Sequence, residues 1–295
     1  MYKLLYTPNI PFDMHDWENK QIKRIFAGEN CIMAITEGGE TLQKITDERF
    51  MAKTQYWTRI KQIDISKSLT GAAIGLVVDG TCMISKKPIR YICEDRYLKF
   101  DIINETVKSW KNVVQVASSD AFFALHSNGS VSCISFSEHG LADYQDVTNW
   151  KNIRKIVTGT QNSVFGITDS GDVLFAGANS NNIKKELSLY KNVVDLYPTG
   201  SECTDMYILT DDGVVRNLSG YHRNVLFEPN KICSDKLLDG NFWYKVYGLT
   251  DKQCLVDVSE EKATPVFSEN YKIVSFAVGD HDYSPPFVIA LAEEK

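Results

Sequence analysis

The sequence lacks a long apolar run and an excess of positive charge. No stretch of its 295 residues approaches the roughly 18 apolar residues that a membrane-spanning helix needs. The apolar stretch at the N-terminus is too short for the core of a signal peptide. Lys and Arg number 32 against 38 Asp and Glu, and the resulting negative charge repels a phosphate backbone. These absences predict a soluble, non-secreted protein without a nucleic-acid partner.

Paired cysteines and catalytic motifs are also absent. The seven cysteines are scattered and contain no Cys-x-x-Cys pair, which favours buried thiols in a reducing, cytoplasmic compartment. The sequence contains no Gly-x-Ser-x-Gly elbow, His-Glu-x-x-His helix or glycine-rich phosphate loop. The five histidines are far apart along the chain. We therefore predict a protein that is not an enzyme, with no catalytic residue, metal ligand or cofactor.

The residues that are abundant favour strands. Aromatic residues make up 11% of the chain and hydrophobic residues 43%, and Val, Ile and Thr are frequent while Ala is sparse. β-branched and aromatic side chains pack well on a pleated sheet. The composition therefore predicts a compact, mainly β fold.

A repeat of about 40 residues runs along the chain. Six of seven expected units start with an aromatic residue: Trp17, Trp57, Trp110, Trp150, Tyr190 and Tyr271. A strand-like apolar stretch follows, and then a small residue before a large aliphatic one, at Ala34, Gly75, Ala124, Gly166, Gly248 and Ala290, with Ile208 as the exception. Hairpin signals come next, at Gly38-Gly39, Asp79-Gly80, Asn128-Gly129, Ser170-Gly171 and Asp212-Gly213. Each unit is therefore predicted to contain a β-hairpin.

Seven such units predict a single all-β domain, a seven-bladed β-propeller over residues 1–295. The predicted blades lie near 10–50, 51–100, 101–143, 144–183, 184–222, 223–262 and 263–295 plus 1–9. The N-terminal strand at Tyr2–Tyr6 is expected to complete the last blade. Because blades converge on an axis, the small residues are expected to lie beside it. The stretch near Lys86–Lys99 is interpreted as an insertion.

The fourth unit carries a family resemblance. Its sequence from Trp150-Lys151-Asn152-Ile153 through Gly166-Ile167-Thr168-Asp169-Ser170-Gly171 to Ala176-Gly177-Ala178-Asn179 resembles the repeat of the regulator of chromosome condensation superfamily. The short period is similar to that of bacterial members, such as the propeller-type inhibitor of beta-lactamases. The resemblance implies a propeller that acts as a binding platform, often for another protein. The residues for nucleotide exchange on a small GTPase have no match here.

The connections between the first and second strands of the blades should open on one face of the ring. Their acidic and aromatic side chains form the candidate partner-binding site: Glu29, Asp120, Phe122, Glu202, Asp205, Asp239, Phe242, Trp243, Asp280, Asp282 and Tyr283. Aromatic side chains anchor protein interfaces, and acids steer a basic partner. Ordinary solvated loops are the alternative interpretation. An alternative, basic partner-binding site would lie on the opposite face and in the insertion near Lys86–Lys99.

The predicted function is a noncatalytic protein–protein interaction module, acting as a monomeric ring or as a subunit of a larger complex. One alternative is a propeller hydrolase or lyase with its site in the central channel, which would need convergent His, Asp or Glu side chains. The other is a carbohydrate-binding propeller, which would need exposed aromatic residues at equivalent positions of several blades.

Overall fold

The computed structural model describes residues 2–28, 30–46, 54, 56–66, 72–85, 100–136, 144–159, 163–177, 180–199, 205–218, 222–226, 237–240, 245–259, 262–279 and 286–295. In these ranges the chain forms seven antiparallel sheets of three or four strands. We call the sheets blades 1 to 7 in chain order. Consecutive blades contact each other through their first strands, and the last blade contacts the first in the same way. The predicted seven-bladed propeller is therefore confirmed.

The strands of the blades fall into three concentric sets. The first strands are β2 (Ile22–Gly28), β5 (Ile60–Ile65), β8 (Val113–Ser118), β11 (Ile153–Thr158), β14 (Val193–Thr199), β18 (Leu238–Gly240) and β22 (Tyr271–Gly279). The second strands are β3 (Cys31–Thr36), β6 (Ala73–Val77), β9 (Ala121–His126), β12 (Ser163–Thr168), β15 (Asp205–Thr210), β19 (Val246–Leu249) and β23 (Phe287–Glu294). The third strands are β1 (Lys3–Tyr6) in blade 7 and β4 (Thr41–Ile45), β7 (Cys82–Ile84), β10 (Val131–Ser135), β13 (Val173–Gly177), β16 (Val214–Asn217) and β20 (Leu255–Asp257) in the others. Blades 5 and 6 add fourth strands, β17 (His222–Leu226) and β21 (Thr264–Pro265).

The N-terminal strand closes the ring. Strand β1 pairs antiparallel with β23, with Lys3 opposite Ala292 and Tyr6 opposite Ile289. The edge of blade 7 is thus covered by ladder hydrogen bonds from the other end of the chain. This closure was predicted from the sequence and is confirmed.

Short helices fill the connections between blades. They are α1 (His15–Glu18), α2 (Phe100–Ser109), α3 (Ser180–Leu187) and a 3₁₀ turn at Gln145–Asn149. Helix α2 follows the predicted insertion at residues 86–99, which lies outside the described residues. It buries Ile103 and Val107, one helical turn apart, between blades 2 and 3. None of the helices in the described part of the chain is long and apolar enough to cross a membrane.

The hydrophobic core is divided among the blade interfaces. Each of its seven clusters joins side chains of two consecutive blades. The tryptophans that start the first four units lie in these clusters and are at most 6% exposed. Trp57, for example, packs with Met33 and Ile35 of blade 1 and with Ile60 and Ile63 of blade 2. The repeated aromatic residue therefore joins neighbouring blades.

The prediction that the small residues of the repeat lie beside the axis is wrong. Ala34, Gly75, Ala124, Gly166 and Ala290 all lie on second strands, whereas side chains of the first strands line the channel. The small residues are needed for a different reason. A Cβ at Gly75 would lie 2.8 Å from Cζ3 of Trp57 and 3.3 Å from Cδ1 of Ile60. At Gly75, and likewise at Gly166, the small residue makes room for the aromatic ring at the start of its own unit.

Candidate functional site

The ring has two faces with different connections. On the face that we call the loop face, the first strand of each blade turns into the second. On the opposite face, the turn face, hairpin turns join the second strands to the third, and the first strands begin. The sequence places its candidate partner-binding residues on the loop face.

Most of the predicted binding residues cannot be placed. Glu29, Glu202, Phe242, Trp243, Asp280, Asp282 and Tyr283 lie outside the described residues. Asp205 starts β15, and only its backbone is described. The structure places the side chains of three others, Asp120, Phe122 and Asp239.

Asp120 and Phe122 belong to the connection between β8 and β9 and to the start of β9. Phe122 is 2% exposed and packs edge-to-face on Phe136, with ring centroids 4.7 Å apart. Asp120 is half-buried, and its carboxylate accepts hydrogen bonds from the Ser119 Oγ, at 2.9 Å, and from the Tyr144 hydroxyl. The Phe122 ring is thus part of the blade 2–blade 3 core and is not accessible to a partner. Asp120 anchors the β8–β9 connection to Tyr144, which lies between blades 3 and 4.

Asp239 is also an internal residue. Its side chain is buried at the inner end of blade 6, and its Oδ2 accepts a hydrogen bond of 3.2 Å from the backbone N–H of Val278 in blade 7. Of the placed candidates, only Asp120 therefore lies near solvent on the loop face. The partner site predicted there depends on the residues outside the described ranges.

The axis of the ring holds a channel of about 420 Å³. Polar side chains from the first strands of all seven blades contribute to its lining, among them Arg24, Gln62, Asp64, Gln115, Lys155, Asp195, Asp239 and Ser275. This polar lining was not predicted from the sequence. The small side chains expected there lie elsewhere.

A repeated β-bulge directs these side chains inward. In six blades the pairing of the first and second strands shifts by one residue just after the first strand begins. The extra residue re-aims the following side chain. That next side chain lines the channel in every case: Arg24, Gln62, Gln115, Lys155, Asp195 and Ser275. In the sequence, each of these six units has a polar residue two positions after the first apolar residue of the strand.

The two glutamines use their side chains as an extra rung between blades. Gln62 donates from Nε2 to the carbonyl O of Val116 at 3.1 Å and accepts from the Val116 N–H at 3.1 Å. Gln115 makes the same pair of bonds with Ile156 of blade 4, at 2.8 and 2.9 Å. Each amide therefore pairs with the backbone of the next blade as a neighbouring strand would.

A buried ion pair continues this pattern around the ring. Lys155 Nζ lies 2.8 Å from Asp195 Oδ1, and the two side chains are 17% and 2% exposed. The Oδ2 of Asp195 accepts hydrogen bonds from the backbone N–H groups of Leu237 and Leu238 in blade 6, at 3.0 and 3.2 Å. Blades 4, 5 and 6 are thus joined by charged groups that also satisfy backbone donors.

The described residues contain no group of three or more His, Cys, Asp or Glu side chains that could hold a metal ion. The polar groups of the channel are engaged differently. Asp64 accepts a hydrogen bond of 2.7 Å from the backbone N–H of Ser118 in blade 3. The side chains of Gln62, Gln115, Asp195 and Asp239 likewise accept hydrogen bonds from the backbone of the next blade. These polar side chains of the channel lining therefore join neighbouring blades.

Two close ion pairs on the turn face involve blades 4 and 5. A hydrogen bond from Lys191, at 2.6 Å, holds the pKa of Asp172 below its usual value. Arg216 Nη2 lies 2.7 Å from Asp212 Oδ2, and hydrogen bonds from the guanidinium lower the pKa of that carboxyl. Each of these side chains is at least a quarter exposed, so such pairs contribute little to stability.

Solved structures with the same fold are known. Prp20p of Saccharomyces cerevisiae, described together with its binding to Gsp1p and histones, is 11% identical to this chain, with a TM-score of 0.60 over 96% of this chain and 84% of that one. Human WBSCR16 is 12% identical, with a TM-score of 0.59 over 94% of this chain and 87% of that one. Yeast RCC1 (Prp20) bound to Kap60 is 11% identical, with a TM-score of 0.60 over 96% and 82% of the two chains. No protein-family model and no curated protein matches the sequence.

At these identities the likeness concerns the fold. It confirms the propeller fold that the resemblance of the fourth unit implied, while the superfamily itself and the closer likeness to bacterial members stay predictions. The chain is a seven-bladed propeller, with the fold of these solved structures.

Proposed function

We propose that this propeller is a noncatalytic module that holds a protein partner against its loop face. The observation that carries the proposal is the use of the channel lining. Five polar side chains that reach the axis bond to the backbone of the next blade: Gln62, Asp64, Gln115, Asp195 and Asp239. Groups held in this way stabilise the ring and are not available to bind a substrate.

A ring joined at its centre is a suitable support for binding loops. Loops bind best when the scaffold holds their ends in fixed positions, because less conformational entropy is lost on association. The connections between first and second strands leave the ring on one side, and the sequence there is rich in acids and aromatic residues. A partner with a basic surface fits this composition. Prp20p, which shares the fold, is described as binding Gsp1p and histones.

We further propose that the protein is cytoplasmic and acts as a monomeric ring or as a subunit of a larger complex. The proposal is tested by affinity capture from the native cell, with quantitative mass spectrometry. The test variant carries Glu202→Lys, Asp280→Lys and Asp282→Lys on the loop face. Asp120 is left intact because it bonds to Tyr144, in the connection between blades 3 and 4.

A matched control reverses three exposed acids in the hairpin turns of the opposite face: Glu40→Lys, Asp169→Lys and Asp211→Lys. Both variants change the net charge equally. We expect the loop-face variant to lose the captured partner and the control to retain it. Retention by the loop-face variant, or equal loss from both variants, would contradict the proposal.

A further inference from the structure

The outermost strand of blade 7, β1, has one edge that no other strand of the described residues covers. Blades 5 and 6 each place a fourth strand outside the third, β17 and β21, whereas the sheet of blade 7 stops at β1. In blades 1 to 4 the residues that follow the third strand lie outside the described ranges, but the chain around β1 is described without a gap from residue 2 to residue 28. Within the described part of the chain, the position of a fourth strand is therefore unfilled in blade 7.

The register of β1 shows which backbone groups reach this edge. The N–H of Thr7, directly after the strand, donates to the carbonyl O of Val288 at 3.0 Å. In an antiparallel pair such bonded residues alternate with residues whose backbone groups point the other way. The backbone of Leu5 therefore faces β23, while the N–H and C=O groups of Leu4 and Tyr6 point outward. These four groups have no backbone hydrogen bond to another described residue.

The segment that follows β1 lies against one face of the sheet and not along its edge. Ile10 and Phe12 pack in the cluster between blades 7 and 1. There the Phe12 ring stands edge-to-face on Phe287, with ring centroids 5.8 Å apart. The N–H of Ile10 donates back to the carbonyl O of Thr7 at 3.1 Å. This segment therefore makes none of the backbone contacts that a fourth strand would make.

Apolar side chains stand on both faces of the sheet at this edge. Leu4 and Tyr6 are half-buried against the cluster between blades 7 and 1, and Leu5 is half-buried against the cluster between blades 6 and 7. Directly opposed side chains of neighbouring antiparallel strands have Cβ atoms about 4.5–5.5 Å apart. The residues of an added strand would therefore cover the exposed parts of these three side chains.

The charged groups in contact with β1 bond to the protein itself. Lys3 Nζ lies 3.2 Å from Glu294 Oε1 on the neighbouring strand. At the other end of β1, the Tyr6 hydroxyl donates to Glu18 Oε1 at 3.1 Å. What this edge offers an occupant is therefore backbone pairing and apolar contact.

The fourth strands of the ring itself show which kind of segment fits such a position. In blade 5, β17 runs antiparallel to β16, with Val225 opposite Val215. In blade 6, β21 runs antiparallel to β20. Val266 and Phe267, directly after β21, are half-buried against the cluster between blades 6 and 7. This propeller thus adds extended segments with apolar residues to the outside of its blades.

We propose that β1 binds an extended, apolar segment of another protein, which joins blade 7 as an antiparallel fourth strand. This is recognition by strand addition, in which main-chain hydrogen bonds provide affinity and alternate side chains provide specificity. Leu4 and Tyr6 together offer two N–H donors and two C=O acceptors to the added strand. The edge lies on the outer rim of the ring, so the proposal holds whether or not the loop face binds a partner.

The test uses the full chain and a defined probe, a fluorescent twelve-residue peptide. It has eight residues of alternating Val and Thr between a Lys-Glu pair at each end. The reference peptide carries N-methylated backbone amides in the Val-Thr stretch, which removes the donors and keeps the side chains. We expect the wild type to bind the first peptide with an affinity that changes little with salt. It should bind the methylated peptide at least about tenfold more weakly.

Hydrogen exchange resolved to single residues locates the bound peptide. In the free protein the amides of Leu4 and Tyr6 point away from β23, and they should exchange faster than the amide of Leu5. Saturating peptide should slow exchange at Leu4 and Tyr6 at least about tenfold and leave Leu5 nearly unchanged.

Two variants separate the backbone of the edge from its side chains. Leu4→Pro removes an outward N–H, which a strand edge tolerates because no ladder bond is lost, and it should weaken peptide binding about tenfold. Leu4→Thr is the matched control, since it shortens the same side chain and keeps the N–H. It should bind within about threefold of the wild type. Urea-induced unfolding checks that both variants are folded.

Four results would overturn the proposal. They are no measurable binding of the first peptide, equal binding of the methylated peptide, protection elsewhere in the chain without protection of Leu4 and Tyr6, and equal losses for the two Leu4 variants. Sedimentation of the protein alone that shows a dimer, abolished by Leu4→Pro, would assign the edge to a second copy of the chain instead.

Discussion

The indole of Trp150 lies directly over the α-carbon of Gly166. A Cβ added at Gly166 would lie 2.8 Å from Cε3 and 2.9 Å from Cζ3 of that ring. The same relationship holds between Trp57 and Gly75, at 2.9 Å from Cε3 and 2.8 Å from Cζ3. In these two units the aromatic residue and the small residue of the repeat thus pack directly against each other.

Gly166→Ala should therefore destabilise the propeller. The added methyl group cannot fit without displacing a tryptophan that is itself buried between two blades, and overpacking of this kind costs roughly 1–3 kcal/mol of unfolding free energy. Urea-induced unfolding measures the loss. Gly38→Ala is the control, because its nearest neighbour, the Thr36 hydroxyl oxygen, would be 3.7 Å away.

The control should change the unfolding free energy by less than about 0.5 kcal/mol. Adding Trp150→Leu to Gly166→Ala should be less damaging than the sum of the two single changes, since they share one contact. Full additivity, or a loss for Gly38→Ala as large as that for Gly166→Ala, would contradict this account.

The sequence predicted the number of blades, their hairpins and the closure by the first strand, because these depend on local periodicity and turn chemistry. It could not predict which side of each strand faces the axis. The bulge between Ile153 and Lys155 reverses the side-chain order after one residue, and the polar residue that follows it can be recognised as a channel residue only once the bulge is known. Ile208 shows a further limit, because it takes the place of the small residue in the unit that starts with Tyr190, whereas the unit that starts with Tyr271 keeps Ala290.

The candidate site was predicted least well, for a related reason. The sequence around Phe122 does not show whether its ring points to solvent or into a blade interface. Only its packing on Phe136 in the folded chain shows that the ring is internal. Asp239 likewise looks like a loop acid in the sequence, yet it accepts a backbone hydrogen bond from Val278 of the next blade. Hydropathy cannot separate a surface charge from a buried acceptor that satisfies a backbone donor.

Gln115→Ala should weaken the contact between blades 3 and 4. The backbone N–H and C=O of Ile156, a buried residue, would lose the amide that satisfies both. Leaving a buried polar group without a partner costs about 1–3 kcal/mol. Urea-induced unfolding should show a loss in this range, and hydrogen exchange at the Ile156 amide should speed up. Gln145→Ala, at an exposed position of the 3₁₀ turn, should alter neither, and unchanged exchange at Ile156 in the Gln115 variant would contradict the bridge.

The buried thiol of Cys82 and the half-buried thiol of Cys133 should resist alkylation at pH 8. Burial raises the pKa of Cys82 to about 12 and that of Cys133 to about 11, because a thiolate loses its hydration inside the protein. Both thiols are then protonated at pH 8, and the thiolate is the reactive form. Peptide mapping after treatment with iodoacetamide should find them unlabelled in the native protein and labelled in urea. Rapid labelling of either residue without denaturant would be inconsistent with its burial.

The Lys155–Asp195 pair should respond unequally to the loss of each partner. Asp195→Ala leaves the Lys155 ammonium, which is 17% exposed, without its counter-ion, and it also frees the N–H groups of Leu237 and Leu238. Breaking a buried pair in this way costs about 3–5 kcal/mol. Lys155→Met keeps the apolar stem, while the Asp195 carboxylate keeps its bonds from three backbone N–H groups, including that of Leu196.

The unfolding free energy should therefore fall clearly less for Lys155→Met than for Asp195→Ala, with Asp195→Asn between them, because the amide oxygen remains an acceptor. The exposed pair of Lys184 and Asp146, 3.1 Å apart, provides the comparison, and Asp146→Ala should cost no more than about 1 kcal/mol. Urea-induced unfolding of the four variants in the same buffer ranks them. If Lys155→Met lowers the unfolding free energy as much as Asp195→Ala does, the Asp195 carboxylate is stabilised mainly by the lysine and not by the backbone of blade 6. That result would contradict its role as the link between blades 5 and 6.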